Sequence, residues 1–307
     1  VSIFDSALMF GDMVFEMTRS FDKVQFKLNE HIERMYAGIK MLQIPIQMTP
    51  EEMEQAVYQT IETNAPVFSD TDEHRVMIDV TRGLLSMYAN VFGGKTEPLV
   101  IISVFPVKWT VAPLTPLYDT GVHAVIPSQR AIPADLLEPK IKNRSRMHYL
   151  VANLEVALVD DPSAWALLLD PDGFITEGTG SNFFLVKDGK LLTPEPRNIL
   201  RGTRRKYTME LAGKLGIEVI ECNLNTYDAI TADEAFFTST AFTLMPCVKV
   251  NGNPLGDGGI GPITQKLIEA WNELVGLDFI AQAKGYLEEM GADAYEGTTM
   301  YRFGKKK

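Results

Sequence analysis

Four basic side chains alternate along residues 139–149, which read PKIKNRSRMHY: Lys140, Lys142, Arg144 and Arg146. The chain as a whole is acidic, with 29 Lys+Arg against 40 Asp+Glu and a formal net charge of −11. Alternate residues of an extended segment point to the same side, so the four bases are expected to share a face. Such a row fits a solvated basic edge that deters edge-to-edge pairing, or a lysine placed for chemistry.

Glu177 is the one charged residue in the stretch 175–186, ITEGTGSNFFLV. It follows a predicted strand and precedes a run of small residues, 178–181. Small residues allow the backbone to approach a flat ligand closely. A buried carboxylate needs a cation or a strong donor as its partner, and a protonated pyridine nitrogen is such a donor. The alternative is an exposed glutamate in an ordinary turn.

Two further stretches could bind an anion. In ILRGTRRKYTMEL, Gly202, Thr203 and Arg204 stand where a helix is predicted to begin, and the first N–H groups of a helix attract anions. In FFTSTAFTLMP, Thr240 and Ala241 follow a strand and offer a hydroxyl group and backbone amides. A lysine, a lone glutamate and two phosphate-type sites together suggest the cofactor pyridoxal 5′-phosphate (PLP).

Composition excludes several classes of protein. The 307 residues are 46% hydrophobic and 22% charged, an ordinary globular balance, and the net acidity argues against nucleic acid or an anionic membrane as the main partner. Two cysteines and no apolar run near the ~18–20 residues that span a bilayer favour a cytoplasmic protein. The histidines lie far apart, which predicts no metal site. GDGGIG at 256–261 matches a dinucleotide motif but lacks a βαβ unit around it, so we expect a loop that enters a helix.

Periodicity predicts a mixed fold. Hairpins are expected in residues 13–28, 164–178 and 182–194, and helices in residues 29–44 (candidate N-cap Asn29), 49–64, 145–160, 204–217 and 263–275. Strands and helices follow one another without regular βαβ alternation, which favours an α+β fold. Two prolines and little periodicity in residues 108–118 predict a linker between a small domain, 1–107, and a larger one, 119–307.

The chain resembles the fold-type IV PLP enzymes, the family of branched-chain and D-amino acid aminotransferases, (R)-selective amine transaminases and aminodeoxychorismate lyase. The resemblance runs from about residue 4 to residue 275. It is carried, in order, by FGDMVFEMTR, HIERM, VTRG, KNRSRMHYLVANLEVA, ITEGTGSNFFLV, ILRGTRR, TSTAFTLMPCV and GPITQKLIEAW. Counting back from LEVA selects Lys142 as the Schiff-base lysine, with Lys140 as the alternative.

The same resemblance implies the other cofactor contacts. Glu177 corresponds to the glutamate on the pyridine nitrogen, and Leu200 to the apolar residue packed against the ring. Arg34 in HIERM corresponds to the arginine on the cofactor phosphate. The remaining phosphate contacts, made largely through backbone groups, correspond to Thr203, Arg204 and Thr240.

The resemblance also implies a reaction and an architecture. Lys142 would hold PLP and then take the Cα proton of the substrate as general base, with ping-pong kinetics. The family fold has a small N-terminal and a larger C-terminal domain with PLP between them. The family forms homodimers whose partner loops complete the substrate pocket.

The substrate contacts match the family less well. Phe10 stands where branched-chain and D-amino acid enzymes have a tyrosine that helps to hold the substrate carboxylate. HRVMIDVTRG lacks the Tyr-x-Arg motif of the branched-chain enzymes, and the Arg-x-His pair of the D-amino acid enzymes does not follow TRG. Arg19 matches an arginine that branched-chain enzymes use for acidic substrates, and Arg82 and the amides of Thr240 and Ala241 are further candidates. Because phenylalanine has no hydroxyl group to donate, we expect a broader substrate range that includes (R)-amines.

Three functions are compatible with these residues. The first is an aminotransferase that moves an amino group from an amino acid or amine to a 2-oxo acid. The second is a PLP-dependent lyase of the aminodeoxychorismate type, which shares the FGD form of the first motif. The third is a non-enzymatic binding protein.

Overall fold

The computed structural model describes residues 1–91, 93–94 and 96–291. Its contacts divide the chain into two compact units. The first unit comprises Val1–Val107 and Lys140–Arg146, and the second comprises Lys108–Pro139 and Met147–Lys307. The segment with the alternating bases therefore belongs with the N-terminal residues. The domain boundaries drawn from the sequence stay a prediction, and residues 292–307 of the predicted larger domain lie outside the described residues.

The first unit is built on a four-stranded antiparallel sheet. Its strands are β1 (Met13–Phe21), β2 (Val24–Gln25), β3 (His74–Thr81) and β4 (Leu99–Pro106). The strand order is β2-β1-β3-β4. Its α-helices are α1 (Ser6–Phe10), α2 (Leu28–Met41) and α3 (Pro50–Asn64), with 3-10 turns at Ala65–Val67 and Ser86–Tyr88.

Local sequence explains most of these elements. Asp22 and Lys23 have φ angles of 51° and 63°, as a two-residue hairpin turn requires, which confirms the predicted hairpin of β1 and β2. The predicted helix start at Thr49 is confirmed: Thr49 is the N-cap of α3, and it forms a capping box with Glu52. The N-cap predicted for α2 is wrong: Lys27, in the left-handed conformation, takes the place assigned to Asn29. The helix begins earlier because the chain turns into it directly after the short strand β2.

The two faces of this sheet differ in chemistry. Val14, Val76 and Ile78 point to the side covered by α2 and α3 and form the core of the unit there. Because side chains alternate along a strand, their neighbours point to the opposite side, here called the outer face. On β1 and β3 the outer face pairs Phe15 with Asp79, Met17 with Met77, and Arg19 with Arg75.

The second unit contains a mixed sheet of nine strands. They are β5 (Val122–Val125), β6 (Ala164–Leu169), β7 (Ile175–Gly178), β8 (Asn182–Lys187), β9 (Lys190–Pro194), β10 (Val219–Cys222), β11 (Glu234–Ser239), β12 (Thr243–Val250) and β13 (Asn253–Pro254). Their order is β10-β9-β8-β11-β12-β5-β6-β7, with β13 beside β12. Parallel pairs, such as β5 with β6, occur beside antiparallel hairpins, which confirms the predicted α+β class.

The helices of the second unit lie before, between and after the strands of this sheet in the sequence. The α-helices are α4 (Lys108–Val111), α5 (Leu117–Thr120), α6 (Met147–Val156), α7 (Thr203–Lys214), α8 (Thr226–Ile230), α9 (Pro262–Val275) and α10 (Phe279–Met290), with 3-10 turns at Ala112–Leu114 and Ala157–Val159. Residues 108–118, predicted as a linker, thus contain short helical turns. Within the described ranges, no helix is both long and apolar enough to cross a membrane.

The glycine-rich stretch 256–261 behaves as the sequence predicts. It is a loop that ends at Gly261, the N-cap of α9. The chain continues after α9 into a further helix, α10, with Asp278 as its N-cap. No strand follows α9 in the part of the chain that the structure describes, so the stretch lacks the βαβ unit of a dinucleotide site.

Candidate functional site

The basic segment Lys140–Arg146 is anchored to the first unit at its centre. The side chain of Ile141 is buried in the core of that unit, and the carbonyl oxygen of Lys142 accepts a hydrogen bond from the N–H of Phe15 at 2.9 Å. Asn143 forms a single β-bridge with Val14. With Ile141 pointing into the core, the next side chain, that of Lys142, points to the opposite side of the segment.

Three of the four bases gather on one aromatic ring. The Nζ atom of Lys142 lies 4.6 Å from the centroid of the Phe15 ring, and the Cζ atoms of Arg144 and Arg146 lie at 3.8 Å and 5.4 Å. Arg144 also pairs with Asp79 at 2.9 Å. These four residues, Phe15 with Lys142, Arg144 and Arg146, are called the Phe15 patch. The patch confirms that alternate bases share a face, and it places Lys142 beside two permanent positive charges.

The exposed end of α1 lies beside the same segment. Phe10, the last residue of α1, is 66% exposed. Its carbonyl oxygen accepts a hydrogen bond from the hydroxyl group of Ser145 at 3.2 Å. A side chain on Gly11 would collide with Ser145, so the glycine of LMFGD permits this close approach. The fold thus brings Phe10 and the Lys142 segment together, as a substrate role for Phe10 requires.

Glu177 is buried at the end of β7 and held by three neutral donors. Its Oε1 atom accepts a hydrogen bond from the hydroxyl group of Tyr149 at 2.8 Å. Its Oε2 atom accepts from the Nδ2 atom of Asn182 at 3.0 Å and from the N–H of Leu200 at 3.1 Å. Donors to the ionised form of a carboxylate favour that form. These residues, Tyr149, Glu177, Asn182 and Leu200, are called the glutamate network.

Sequence analysis named Glu177 and Leu200 but missed the other two members of the network. Tyr149 lies on α6, whose other residues are mostly apolar, and Asn182 begins the apolar strand β8. A polar residue at such a position is a weak sign of a buried hydrogen bond. The sequence does not say which group receives it, because the partner of Tyr149 lies 28 residues away.

Helix α7 begins beside this network, at the predicted anion site. Its N-cap is Gly202, which has no side chain to cap the first N–H groups. A Cβ atom on Gly202 would lie 2.1 Å from the Oδ1 atom of Asn182, so the position requires glycine. The guanidinium of Arg204 lies inside the unit, 5.0 Å above the ring of Trp271. Backbone groups of Thr203 and Arg204 therefore remain the means by which this helix end can bind an anion.

The second predicted anion site is the turn between β11 and β12. Thr240, Ala241 and Phe242 connect the paired residues Ser239 and Thr243. The hydroxyl group of Tyr118 donates to the carbonyl oxygen of Phe242 at 2.7 Å and holds the turn in place. The backbone of Thr240 and Ala241 is thereby presented at the end of two buried strands.

Arg34 is gripped by a buried carboxylate that sequence analysis did not identify. Its Nε and Nη2 atoms donate to the two oxygens of Glu16 at 2.6 Å and 2.8 Å, and Nδ1 of His31 lies 2.8 Å from Oε2. Burial alone raises the pKa of Glu16, but the positive charges and hydrogen bonds of Arg34 and His31 hold that pKa well below its usual range. Glu16 thus fixes the orientation of the Arg34 guanidinium.

The two arginines predicted to contact the substrate, Arg82 and Arg19, lie in different surroundings. The Nε and Nη2 atoms of Arg82 donate to the two carboxylate oxygens of Asp12 at 2.5 Å and 3.1 Å. Its guanidinium also donates to the carbonyl oxygens of Leu42 and Gln43. These bonds tie three segments of the first unit together. Arg19 is 2% exposed, with its guanidinium 4.2 Å above the ring of Phe21. It lies on the outer face, which also carries the Phe15 patch.

Comparison with known proteins gives one consistent result. Residues 13–250 match the family described as amino-transferase class IV. The chain is 37% identical over 279 residues to a protein of Methanocaldococcus jannaschii, covering 89% of this chain and 91% of that protein. It is 31% identical over 277 residues to the branched-chain-amino-acid aminotransferase of Escherichia coli K12, covering 88% of this chain and 86% of that one.

Solved structures agree. The crystal structure of the Escherichia coli branched-chain aminotransferase matches with a TM-score of 0.79 and 28% identity, over 90% of this chain and 89% of that chain. The PLP form of the Thermobaculum terrenum branched-chain aminotransferase matches with a TM-score of 0.78 and 26% identity, over 94% and 91% of the two chains.

Proposed function

Because this chain belongs to the class IV aminotransferases, we propose that it uses PLP to move the amino group of an amino acid to a 2-oxo acid, with branched-chain amino acids among its donors. The observation that carries the cofactor assignment is the glutamate network. Tyr149, Asn182 and Leu200, which are all neutral groups, donate hydrogen bonds to the Glu177 carboxylate and fix its position. A buried carboxylate of this kind is suited to a cationic ring nitrogen.

The residues predicted to contact the cofactor fit the chemistry of PLP. The uncapped start of α7 and the Thr240–Ala241 turn offer backbone N–H groups to the phosphate. Arg34, which Glu16 orients, is the further phosphate contact that the family resemblance implies, as a charge-assisted donor. The side chain of Leu200 would pack against the cofactor ring, while its backbone N–H donates a hydrogen bond to Glu177. When bound, PLP supplies the electron sink that an amino acid by itself lacks.

Lys142 carries the proton transfer in this proposal. Its Nζ atom would hold the cofactor covalently and would act as the general base that takes the proton from the substrate Cα. A lysine can do so only as the uncharged amine. Arg144 and Arg146 share the Phe15 patch with it. The hydrogen bond from Phe15 to the Lys142 carbonyl holds the backbone in place for that task.

The test of this proposal is the covalent link between PLP and the chain. Reduction of the PLP-loaded protein with borohydride, followed by peptide mass mapping, is expected to place the pyridoxyl group on Lys142. Lys140→Ala is the matched control and should keep the link, whereas Lys142→Ala should lose it and abolish transamination. A pyridoxyl group on Lys140 would move the assignment by two residues, and a wild-type protein that takes up no PLP would refute the proposal.

A second substrate class is favoured by Phe10. Its ring cannot donate a hydrogen bond to a carboxylate, and it lies exposed beside the Lys142 segment. The chain is therefore expected to accept some (R)-amines that have no carboxylate. Comparison of kcat/KM for (R)-1-phenylethylamine with that for L-leucine and D-alanine tests this expectation, and Phe10→Tyr should shift the preference toward amino acids. An inert amine beside fast L-leucine turnover would refute it.

The assembly implied by the family resemblance is a homodimer, which stays a prediction. Light scattering on the purified protein would measure it directly.

A further inference from the structure

One side-chain amide connects the glutamate network to the segment that enters α7. The Nδ2 atom of Asn182 donates to the Oε2 atom of Glu177 at 3.0 Å and to the carbonyl oxygen of Leu200 at 2.8 Å. The NH2 group of an asparagine has two donor hydrogens, so both bonds can be made at once. Because Asn182 is 5% exposed, water has little access to these bonds, and losing them is costly.

The neighbours of Asn182 fix the orientation of its amide. An asparagine amide has donors at one end and an acceptor at the other. Both atoms that face Nδ2 are acceptors, a carboxylate oxygen of Glu177 and the carbonyl oxygen of Leu200. A reversed amide would place oxygen against oxygen at both contacts. The Oδ1 atom therefore lies on the other side of the amide, where a Cβ atom on Gly202 would be 2.1 Å from it.

Asn182 thereby organises residues 200–202. The N–H of Leu200 donates to Glu177 at 3.1 Å, and its carbonyl oxygen accepts from the N–H of Gly202 at 2.9 Å as well as from Asn182. Both backbone groups of Leu200 are thus held. Since Gly202 is the N-cap of α7, a continuous set of hydrogen bonds links the Glu177 carboxylate to the first turn of that helix.

We propose that Asn182 is a positioning residue that sets the separation between the two ends of the PLP site, a role that rests on the proposed aminotransferase function. The ring nitrogen and the phosphate lie at opposite ends of PLP. In the proposed function Glu177 holds the first and the start of α7 holds the second. A rigid cofactor requires these two groups at a fixed separation. Asn182 acts through Glu177 and Leu200, without contacting PLP itself.

The first test is the affinity for PLP, measured by absorbance as PLP is titrated into the cofactor-free protein. Asn182→Ala removes both hydrogen bonds, one of them to a charged group, and is expected to weaken PLP binding about 10- to 100-fold. The phosphorus NMR signal of bound PLP should also shift, because the start of α7 is no longer held at its distance from Glu177.

A carboxylate at position 182 adds a test that depends on pH. Asn182→Asp keeps the size of the side chain but places a second carboxylate against Glu177, and two adjacent carboxylates favour sharing one proton. As the pH falls, the pair takes up that proton and regains a donor between the two residues. Tyr149, which also donates to Glu177, is a phenol and keeps its proton throughout this range.

PLP affinity relative to wild type at the same pH should therefore recover for Asn182→Asp between about pH 8 and about pH 6. The same ratio for Asn182→Ala should stay constant, because alanine has no group to protonate. A residue that merely stabilises the fold would not produce this contrast. The Asn182→Asp ratio also tests the inference if thermal unfolding shows that Asn182→Ala does not fold.

Gln265→Glu is the matched control. The Gln265 amide also donates to a carboxylate, that of Glu269 at 3.2 Å, but on an exposed part of α9, so PLP affinity should stay within twofold of wild type. If the folded Asn182 variants bind PLP as tightly as wild type, or if the Asn182→Asp ratio does not change with pH, the inference is overturned while the aminotransferase proposal stands. If the wild-type protein takes up no PLP, both fail.

Discussion

Two buried glutamates, one in each unit, solve the same problem in opposite ways. Glu16 is 0% exposed and is bonded to two cationic partners, Arg34 and His31. Glu177 is 7% exposed and is bonded to a phenol, an amide and a backbone N–H. An ionised carboxylate removed from water needs either opposite charge or a full set of donors. The first unit supplies charge, and the second supplies donors.

The difference separates a structural role from a ligand-binding role. The charge of Glu16 is neutralised inside the first unit by Arg34 and His31. This carboxylate therefore serves to hold Arg34 of α2 against β1, the strand on which Glu16 lies. The hydrogen bonds that Glu177 accepts from Tyr149, Asn182 and Leu200 come from neutral groups, and we propose that this carboxylate faces a cationic ligand. The two residues should therefore respond differently when the carboxylate or its partners are changed. Glu16 should affect stability, and Glu177 should affect chemistry.

Removal of the cationic partner should have the largest effect. Arg34→Ala takes away the bidentate partner of a fully buried carboxylate, and breaking a buried ion pair typically costs about 3–5 kcal/mol in the free energy of unfolding. Urea unfolding of the cofactor-free protein at pH 7 would measure it. The double variant Glu16→Gln/Arg34→Ala should regain part of the loss, because the buried carboxylate charge is removed together with its Arg34 partner. A loss below about 1 kcal/mol in Arg34→Ala would mean that Glu16 does not depend on this pair.

Neutralising the other glutamate should affect the reaction more than the fold. Glu177→Gln keeps the size of the side chain, and an amide can still accept from Asn182 and Leu200. The cofactor ring nitrogen would lose its anionic partner, a preorganised electrostatic contact worth about 3–4 kcal/mol in the transition state. Stopped-flow measurement of the amino-donor half-reaction should show a rate about 10²- to 10³-fold lower. A loss of less than tenfold would argue that Glu177 does not face the ring.

Lowering the pH should reveal the contribution of Glu16 to the free energy of unfolding. Its folded-state pKa is lowered from an ordinary value of 4.5, so the carboxylate adds stability above pH 4.5 that is lost as the pH falls toward the folded-state pKa. One such group changes the free energy of unfolding by at most about 1.4 kcal/mol per pH unit. Urea unfolding between pH 5 and pH 3 should therefore show a shallower pH dependence for Glu16→Gln than for wild type. Parallel curves for the two proteins would contradict the assignment.

The smallest effect is expected from a single donor of the glutamate network. Tyr149→Phe removes one of the three hydrogen bonds to Glu177, a contribution of about 0.5–1.5 kcal/mol, and should lower PLP affinity by up to about tenfold. Tyr36→Phe is the matched control, because the Tyr36 hydroxyl group donates to the carbonyl oxygen of Met48 at 2.6 Å in the first unit. Equal PLP affinity in the two variants would show that Tyr149 is not needed to hold Glu177.

Features that depend on neighbours in the chain could be predicted well. The hairpin at Asp22 and Lys23, the helix start at Thr49, and the shared face of Lys142 and Arg144 all follow from residues a few positions apart. In each case the relevant atoms are within reach before the chain folds. The N-cap of α2 shows the limit of such reasoning. Lys27 adopts the left-handed conformation there, and lysine is not a residue type from which an N-cap is predicted.

The partners of the buried charges could not be predicted in this way. Glu16 and Arg34 lie on a strand and a helix separated by a hairpin, and Tyr149 meets Glu177 across 28 residues. The face-to-face arginines, Arg19 and Arg75, depend on the register between two strands 56 residues apart. Register is set by how the apolar faces of strands pack, which involves the whole unit.

The amino-acid sequence by itself determined the α+β class and the family, and it predicts Lys142 as the reactive lysine, because turn residues, periodicity and motif order are local properties of the chain. The tertiary structure alone decided that Glu16 pairs with Arg34 and His31, and that Glu177 accepts hydrogen bonds from Tyr149, Asn182 and Leu200. The physical reason is that burial and charge pairing arise only when distant segments exclude water from one another.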